Sequence, residues 1–587
     1  MAVTGESMNS RAEFNRPVYP YYPLGLVLFA LCLAFYKAGS LITAMGADWF
    51  MFLAFVGLDS FFLAVLFMLA YLQGMSKPKW LRSMIGLLLV FLAILYFIDS
   101  FVLLALDEHA SLFEIGRFTS EWAVVLSFMD TGTYIAVLLL LVSIFVFLRS
   151  TPAVRKFGIG LFIAGFLSAC FSAVSAPLPL KTYAFLSPSE LFEGIGPEQV
   201  FESYSAGEIA FYAGLKSEAV AIPETKPDII LLVIESLSSI NSEKVSGHPG
   251  FLDGFDELAS GGILFQNFFA NHQASEGGLV ALLGGFPPMH FPTATPYMFD
   301  EFGTQASVIA EYRRQGYVTE FLTNADLTFI GLDLFLGGLG IDSQRGRDEV
   351  DEMRVAPRVV LDSPSDAYLY REALLSARRL MSSDQAFLLT IATTSTHLPY
   401  THPEGGADTP EAVWKWSMEQ LLSFYSQLSE IGFFEHGILL ITGDHRQMRP
   451  VSKTETDRYG SSARARVPLL VIGNAYPPGL IDKRFFQQSD LLRMLGKING
   501  HETRLSPHPI WVERYNRKYG RIELINSLSV FDEADQGRHE YRIEVPGNRL
   551  EWLDEKPEFA RRIETRIHSQ RSQHQQTRNT LSHQAAE

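Results

Sequence analysis

Two kinds of hydrophobic pattern divide the chain. Up to about Leu180, apolar residues run in long stretches at roughly 21–45, 49–72, 83–106, 126–148 and 157–178. Each is close to the ~20 residues that a helix needs to cross a bilayer. From about Asp228 the runs shorten to strand length: "DIILLVIE", "GILFQNFFA", "YVTEFLT", "AFLLTIATTS", "GILLITGDH" and "RVPLLVIG". Continuous rather than alternating apolar runs predict strands covered on both faces. Helical spacing that ends in glycine, in "ASVIAEYRRQG" and "EQLLSFYSQLSEIG", predicts the helices that cover them. The expected architecture is a multi-span α-helical membrane domain followed by an α/β domain with a mostly parallel central sheet.

The expected segments are a cytoplasmic tail 1–20, five spans within 21–178, a linker 179–226, an extracytoplasmic α/β domain 227–525, and a C-terminal extension 526–587 with a polar, Gln-rich tail. The side of the membrane follows from the short loops, because Lys and Arg concentrate on the cytoplasmic side. Lys77, Lys79 and Arg82 follow the second span, and Arg149, Arg155 and Lys156 follow the fourth. The alternate loops are acidic or carry little positive charge. An odd number of spans then puts everything after about residue 180 outside. No pattern of a cleavable signal peptide is present at the N-terminus, so the first span is expected to serve as signal and anchor. Asp59, Asp99 and Asp130 fall inside apolar spans.

Charge and cysteine content narrow the functional classes. The formal net charge is −16 and the soluble half has no basic stripe, which argues against a nucleic-acid partner. The two cysteines, Cys32 and Cys170, both lie in apolar spans, so the soluble domain carries no disulfide framework.

Candidate chemistry begins where the first strand stops. Leu231, Leu232, Val233 and Ile234 lead directly into Glu235, and a carboxylate at the end of a buried strand is costly unless something cationic receives it. Asp444 and His445 close a later strand in the same way. An Asp, a Glu and a neutral imidazole suit a divalent cation such as manganese, magnesium or zinc. Ser275, in "HQASEGGLVALLGGFPP", stands at the start of a helical stretch of small residues, where the helix dipole and open N–H groups favour an alkoxide and a bound phosphate. Metal coordination is one way to activate such a serine, and the three ligands leave room for a fourth oxygen.

These residues, in this order, resemble the alkaline phosphatase and sulfatase superfamily. The chain is most similar to its lipoteichoic acid synthase and phosphoglycerol transferase branch, which joins five membrane helices to an extracellular sulfatase-like domain. The resemblance implies that Glu235, Asp444 and His445 bind a divalent metal, manganese first among the candidates, together with Ser275 as nucleophile. The family usually has Thr at that position. The resemblance also implies that His397, in "TIATTSTHLPYTHP", is catalytic and contacts the substrate phosphate, and that Asn324 and Asp326 line the pocket. An arginine that grips the headgroup in the family is expected near residues 329 to 335, where this chain has "FIGLDLF". His248, His272, His290 and His402 match no family role.

The implied activity is transfer of a phosphoglycerol-type headgroup from a membrane phospholipid to a glycan or polymer hydroxyl, through a covalent serine intermediate at the outer face of the cytoplasmic membrane. The alternatives are a phosphoethanolamine transferase, a lipid phosphodiesterase or sulfatase-like hydrolase, and an inert sulfatase-like binding module.

Overall fold

The computed structural model describes residues 220–285, 307–449 and 451–500, with positions between 30 and 106, Pro288, Phe299, Leu505, Ser506 and the backbone of short strands between 510 and 552. Two compact units divide the chain. Within the larger unit, the apolar run after Lys226 forms strand β1, Asp228–Ile234, buried at every position after its first. Alternation along the strand sends Ile229, Leu231 and Val233 into one core and Ile230, Leu232 and Ile234 into another. Both faces of the sheet are therefore covered, as a continuous apolar run requires. Each such side chain contributes about 1.5–3 kcal/mol by burial.

The remaining strands are, in chain order, β2 (Ile263–Phe265), β3 (Phe268–Phe269), β4 (Val318–Thr323), β5 (Ser343–Arg345), β6 (Phe387–Ala392), β7 (Gly437–Gly443), β8 (Leu469–Ile472), β9 (Leu480–Asp482), β10 (Phe486–Gln487) and β11 to β14 (Ile510–Tyr515, Ile525–Phe531, Arg538–Glu544 and Glu551–Trp552). Eight of these form the central sheet in the order β5-β4-β6-β1-β7-β8-β2-β9. Its pairings are parallel except where β8 meets β7 and β2. The mostly parallel sheet expected from the sequence is thus present. Helices Val308–Arg314 and Leu332–Leu339 supply Tyr312 and Phe335 to one core, and helices Asp366–Met381 and Pro410–Glu430 supply Leu369 and Trp414 to the other.

Register decides what gathers at the carboxyl edge. Ile234 of β1 pairs with Gly443 of β7, and Val233 pairs with Ala392 of β6. Glu235 and Asp444, which follow the first pair, must therefore emerge side by side, with Thr393 one position behind, level with Ile234.

Three features depart from the sequence pattern. The run "GILFQNFFA" is two strands, because the Gln266 backbone N–H donates to Asp482 and the Asn267 side chain to Lys483, so that β3 leaves the main sheet to pair with β10. The edge strands β5 and β9 lack buried apolar faces, and nothing in their sequence marks them. Strands β11 to β14 form an antiparallel sheet that runs across the expected boundary at residue 525.

In the smaller unit, helix Lys79–Leu106 is amphipathic in burial. Trp80, Met84, Leu87, Leu88 and Phe91 are exposed, whereas Ile85, Leu89, Ala93 and Tyr96 pack against Ala30, Ala34, Leu63 and Leu66. Asp59 has a partner: Lys37 Nζ and the Tyr96 hydroxyl donate to its Oδ2 at 2.9 and 2.7 Å. Among the described residues, Lys79–Ser100 is long and apolar enough to cross a membrane. The spans expected at 126–148 and 157–178, Asp130, most of 21–72, the linker before residue 220, His290 and the C-terminal tail lie outside the described residues.

Candidate active site

Four side chains that the sequence singled out meet at the carboxyl edge of β1 and β7. Ser275 Oγ lies 3.2 Å from Glu235 Oε2 and 3.2 Å from His445 Nε2. His445 Nε2 lies 3.4 Å from both Glu235 Oε1 and Asp444 Oδ2. Donor atoms that surround one ion at about 2.1 Å stand roughly 3.0–3.4 Å apart, so the spacing fits a single divalent cation. The chemistry fits as well: two carboxylates, a hydroxyl and an imidazole nitrogen make a predominantly hard, oxygen-rich set.

The protein fixes each donor by its backbone. Ser236 takes a left-handed φ of 61°, which turns the chain sharply after the strand and aims its N–H at Asp444 Oδ1, 2.9 Å away. Asp444 Oδ1 also accepts from the His445 N–H at 2.8 Å, leaving Oδ2 for the cluster. Nδ1 of His445 donates to the Arg446 carbonyl at 2.7 Å. In the neutral ring that bond assigns the proton to Nδ1 and keeps the Nε2 lone pair for a metal. Glu235 is held by the loop after β6: its N–H donates to Thr393 Oγ1 at 3.1 Å and its carbonyl accepts from Thr396 Oγ1 at 2.6 Å.

Ser275 opens helix Ser275–Leu279, with Ala274 as its N-cap, and a π-turn Val280–Gly284 follows. The paired glycines bring this helix close to the sheet. A Cβ on Gly278 would stand 2.2 Å from the Asp444 carbonyl oxygen, and one on Gly277 would stand 2.1 Å from the His272 ring. His272 therefore has a packing role beside the Ser275 segment, and its Nδ1 accepts from the Ala274 N–H at 3.1 Å.

Close packing of acids and imidazole perturbs all three titratable groups. Burial raises the Glu235 carboxyl, but the His397 and His445 charges outweigh it and hold the group at about 2. Asp444 is pushed up to about 7, by burial and then by the Glu235 charge. His445 rises to about 9, because Asp444 and Glu235 outweigh the burial that lowers it. Two carboxylates and an imidazole thus share one buried point and hold protons between them, a charge pattern that a bound cation would relieve.

His397, 8% exposed, follows the same β6 loop, near enough to Glu235 to pull its carboxyl down. Its Nδ1 is occupied by the Leu398 carbonyl. Asn324 and Asp326 contribute no atom to the four-residue cluster. Asn324 is fully buried and donates to Pro364 and Asp366, and Asp366 in turn accepts from the N–H groups of Thr394 and Ser395. Asp326 caps the turn at Thr328 and pairs with Arg347 at 3.0 Å. These side chains brace the loop that carries His397 and the turn after β4.

Two contributors were not foreseen. Arg446, next to His445, is buried and forms a two-point ion pair with Glu455 at 2.8 and 2.7 Å. Glu455 also closes a capping box with Ser452. The "SKTE" stretch carried that signal. Gln488 reaches the backbone of Asp444 from a distant helix, and no local pattern announces it.

The part of the chain that carries Glu235 and Ser275 of this cluster is similar to sulfatases. Residues 227–413 match the Sulfatase family model, and the resemblance to lipoteichoic acid synthases and phosphoglycerol transferases stands. Two proteins named phosphoglycerol transferase I, from Xanthomonas campestris pv. campestris strains B100 and ATCC 33913, are 23% and 26% identical to 44% and 47% of this chain. The matches span 39% and 38% of those relatives' length, well under half. Among solved structures, an alkaline phosphatase superfamily protein from Vibrio parahaemolyticus is 17% identical, with a TM-score of 0.46 over 65% of this chain and 99% of its own. A lipoteichoic acid synthase from Listeria monocytogenes is 14% identical, with a TM-score of 0.43 over 65% and 98%.

Proposed function

We propose that this protein is a membrane-anchored, metal-dependent transferase that moves a phosphoglycerol-type headgroup from a phospholipid to a glycan or polymer hydroxyl, by way of a covalent Ser275 intermediate. The observation that carries the reading is the position of Ser275 Oγ, 3.2 Å from both Glu235 and His445. Glu235, Asp444 and His445 would hold the cation, with Ser275 as the fourth ligand and manganese as the first candidate. A bound divalent cation supplies Lewis acidity toward the phosphoryl oxygens and makes the serine hydroxyl more acidic.

The chain's own groups do the rest. Ser275 Oγ attacks phosphorus on its half-buried, open side and its proton leaves to solvent. The bond from phosphorus to the diacylglycerol oxygen breaks, and His397 donates the proton that this oxygen needs. An acceptor hydroxyl then attacks the phosphoserine ester, His397 takes its proton, the bond from phosphorus to Ser275 Oγ breaks, and that oxygen regains a proton from solvent. A multi-pass anchor, of which Lys79–Leu106 is the described helix, keeps the pocket beside its lipid donor, with the catalytic domain on the outer side of the cytoplasmic membrane.

The test is release of diacylglycerol from phosphatidylglycerol vesicles by the full-length chain with Mn²⁺ and an oligosaccharide acceptor. Wild-type activity that vanishes in Ser275→Ala supports the reading. Equal release by both proteins contradicts it.

A further inference from the structure

Gln488 begins the short helix Gln488–Leu491, a polar residue with 0% exposure. An amide so deeply buried must find its partners inside the protein. Its Nε2 donates to two carbonyls in succession, Gly443 at 2.8 Å and Asp444 at 2.7 Å. Its Oε1 accepts from the Asn271 N–H at 3.1 Å. Turning the amide over would set its oxygen against two carbonyls, so the network fixes the orientation.

The three contacts join separate parts of the chain. Gly443 and Asp444 end β7 and lead into His445, whereas Asn271 lies just upstream of Ser275. The side of the Asp444 carbonyl that Gln488 does not hold is closed by Gly278, which follows Ser275 on its helix. The peptide between the two candidate metal ligands and the nucleophile segment is thus gripped from two directions. The neighbouring polar bonds, Asn271 Nδ2 to Gln487 and Gln487 Nε2 to Asp490, secure the helix itself.

We propose that Gln488 is a positioning residue that sets the separation of Asp444 and His445 from Ser275, and so sets the affinity of the site for its cation. The inference rests on the metal-site reading given above. Supporting groups of this kind typically govern metal affinity by about 10–100-fold, whereas a residue that only stitches a helix to a sheet changes stability alone.

The experiment is calorimetric titration of the full-length chain, in detergent, with Mn²⁺ alone, alongside its melting temperature. Gln488→Glu keeps the size and the acceptor but removes the paired donor, and Gln488→Met removes both. Each is expected to weaken Mn²⁺ binding by about 10–100-fold. If Gln488→Met does not fold, Gln488→Glu decides. The control is Thr319→Val, which removes a buried hydroxyl's bond to Asp342 on a strand separated from β7 by β6 and β1. It is expected to lower the melting temperature while Mn²⁺ affinity stays within about threefold of wild type, because distant sites act independently. Wild-type affinity in the Gln488 variants, with melting lowered as in the control, overturns the proposal while leaving the metal site intact. Failure of the wild-type protein to bind Mn²⁺ overturns the metal-site reading, and the proposal with it.

Discussion

Gly278 and Asp444 touch backbone to backbone: a Cβ added at Gly278 would lie 2.2 Å from the Asp444 carbonyl oxygen. No side chain can be accommodated there without moving either the Ser275 helix or the end of β7. The glycine is therefore a condition of the site's geometry, through close approach and not through an unusual φ.

Gly278→Ala is expected to separate Ser275 from the acidic pair. Overpacking of this type costs about 1–3 kcal/mol, and a shift of about 1 Å in the reacting groups can reduce turnover about 100-fold. Thermal melting together with the rate of headgroup transfer checks both. An unchanged rate would mean that the helix yields without disturbing the site.

Removing the metal should be visible in stability as well as in turnover. A ligand present at 100 times its Kd stabilises the fold by about 2.7 kcal/mol. Mn²⁺ at that excess is expected to raise the melting temperature of the wild-type chain by several degrees, and EDTA to reverse the rise. Glu235→Gln, which keeps the shape but removes a charge, should abolish the metal-dependent part while leaving the protein folded. A Mn²⁺ effect that survives in Glu235→Gln would place the ion elsewhere.

The pH dependence has a definite sign. Asp444 and His445 are both raised, to about 7 and about 9, so each holds a proton that a cation must displace. Protons are released on binding, and affinity must rise with pH. The rise is expected to be steepest below about pH 7, where both groups are protonated, shallower between 7 and 9, and flat above. Because the pair titrates together, the two breaks belong to the cluster as a whole. Calorimetry in buffers of different ionisation enthalpy counts the protons, and affinity that falls with pH would contradict the assignment.

Three of the four clustered residues were legible in the sequence because a parallel sheet makes strand ends informative, and Ser275 because it opens a helical stretch of small residues. Glu235 and Asp444 each terminate a continuous apolar run, and the pairing of Ile234 with Gly443 turns that shared position into contact. The reading of Asn324 as a pocket residue comes from the family resemblance alone. Yet β4 lies beyond β6 in the sheet, and its asparagine is used to hold Asp366 under the β6 loop. Gln488 was illegible because its burial depends on contacts with residues far away in sequence. The break between β2 and β3 was hidden for the same reason: Gln266 and Asn267 bond to the chain around residue 482.

The central claim is that Ser275 carries the transferred group. The measurement that tests it most directly is intact-mass analysis of the purified full-length protein after incubation with Mn²⁺ and phosphatidylglycerol, without acceptor, beside Ser275→Ala. An added mass equal to one phosphoglycerol group, confined to wild type and mapped to the peptide that contains Ser275, is the predicted result. Headgroup release from the lipid at full rate with no adduct on wild type at any time, or an adduct that persists in Ser275→Ala, would contradict it.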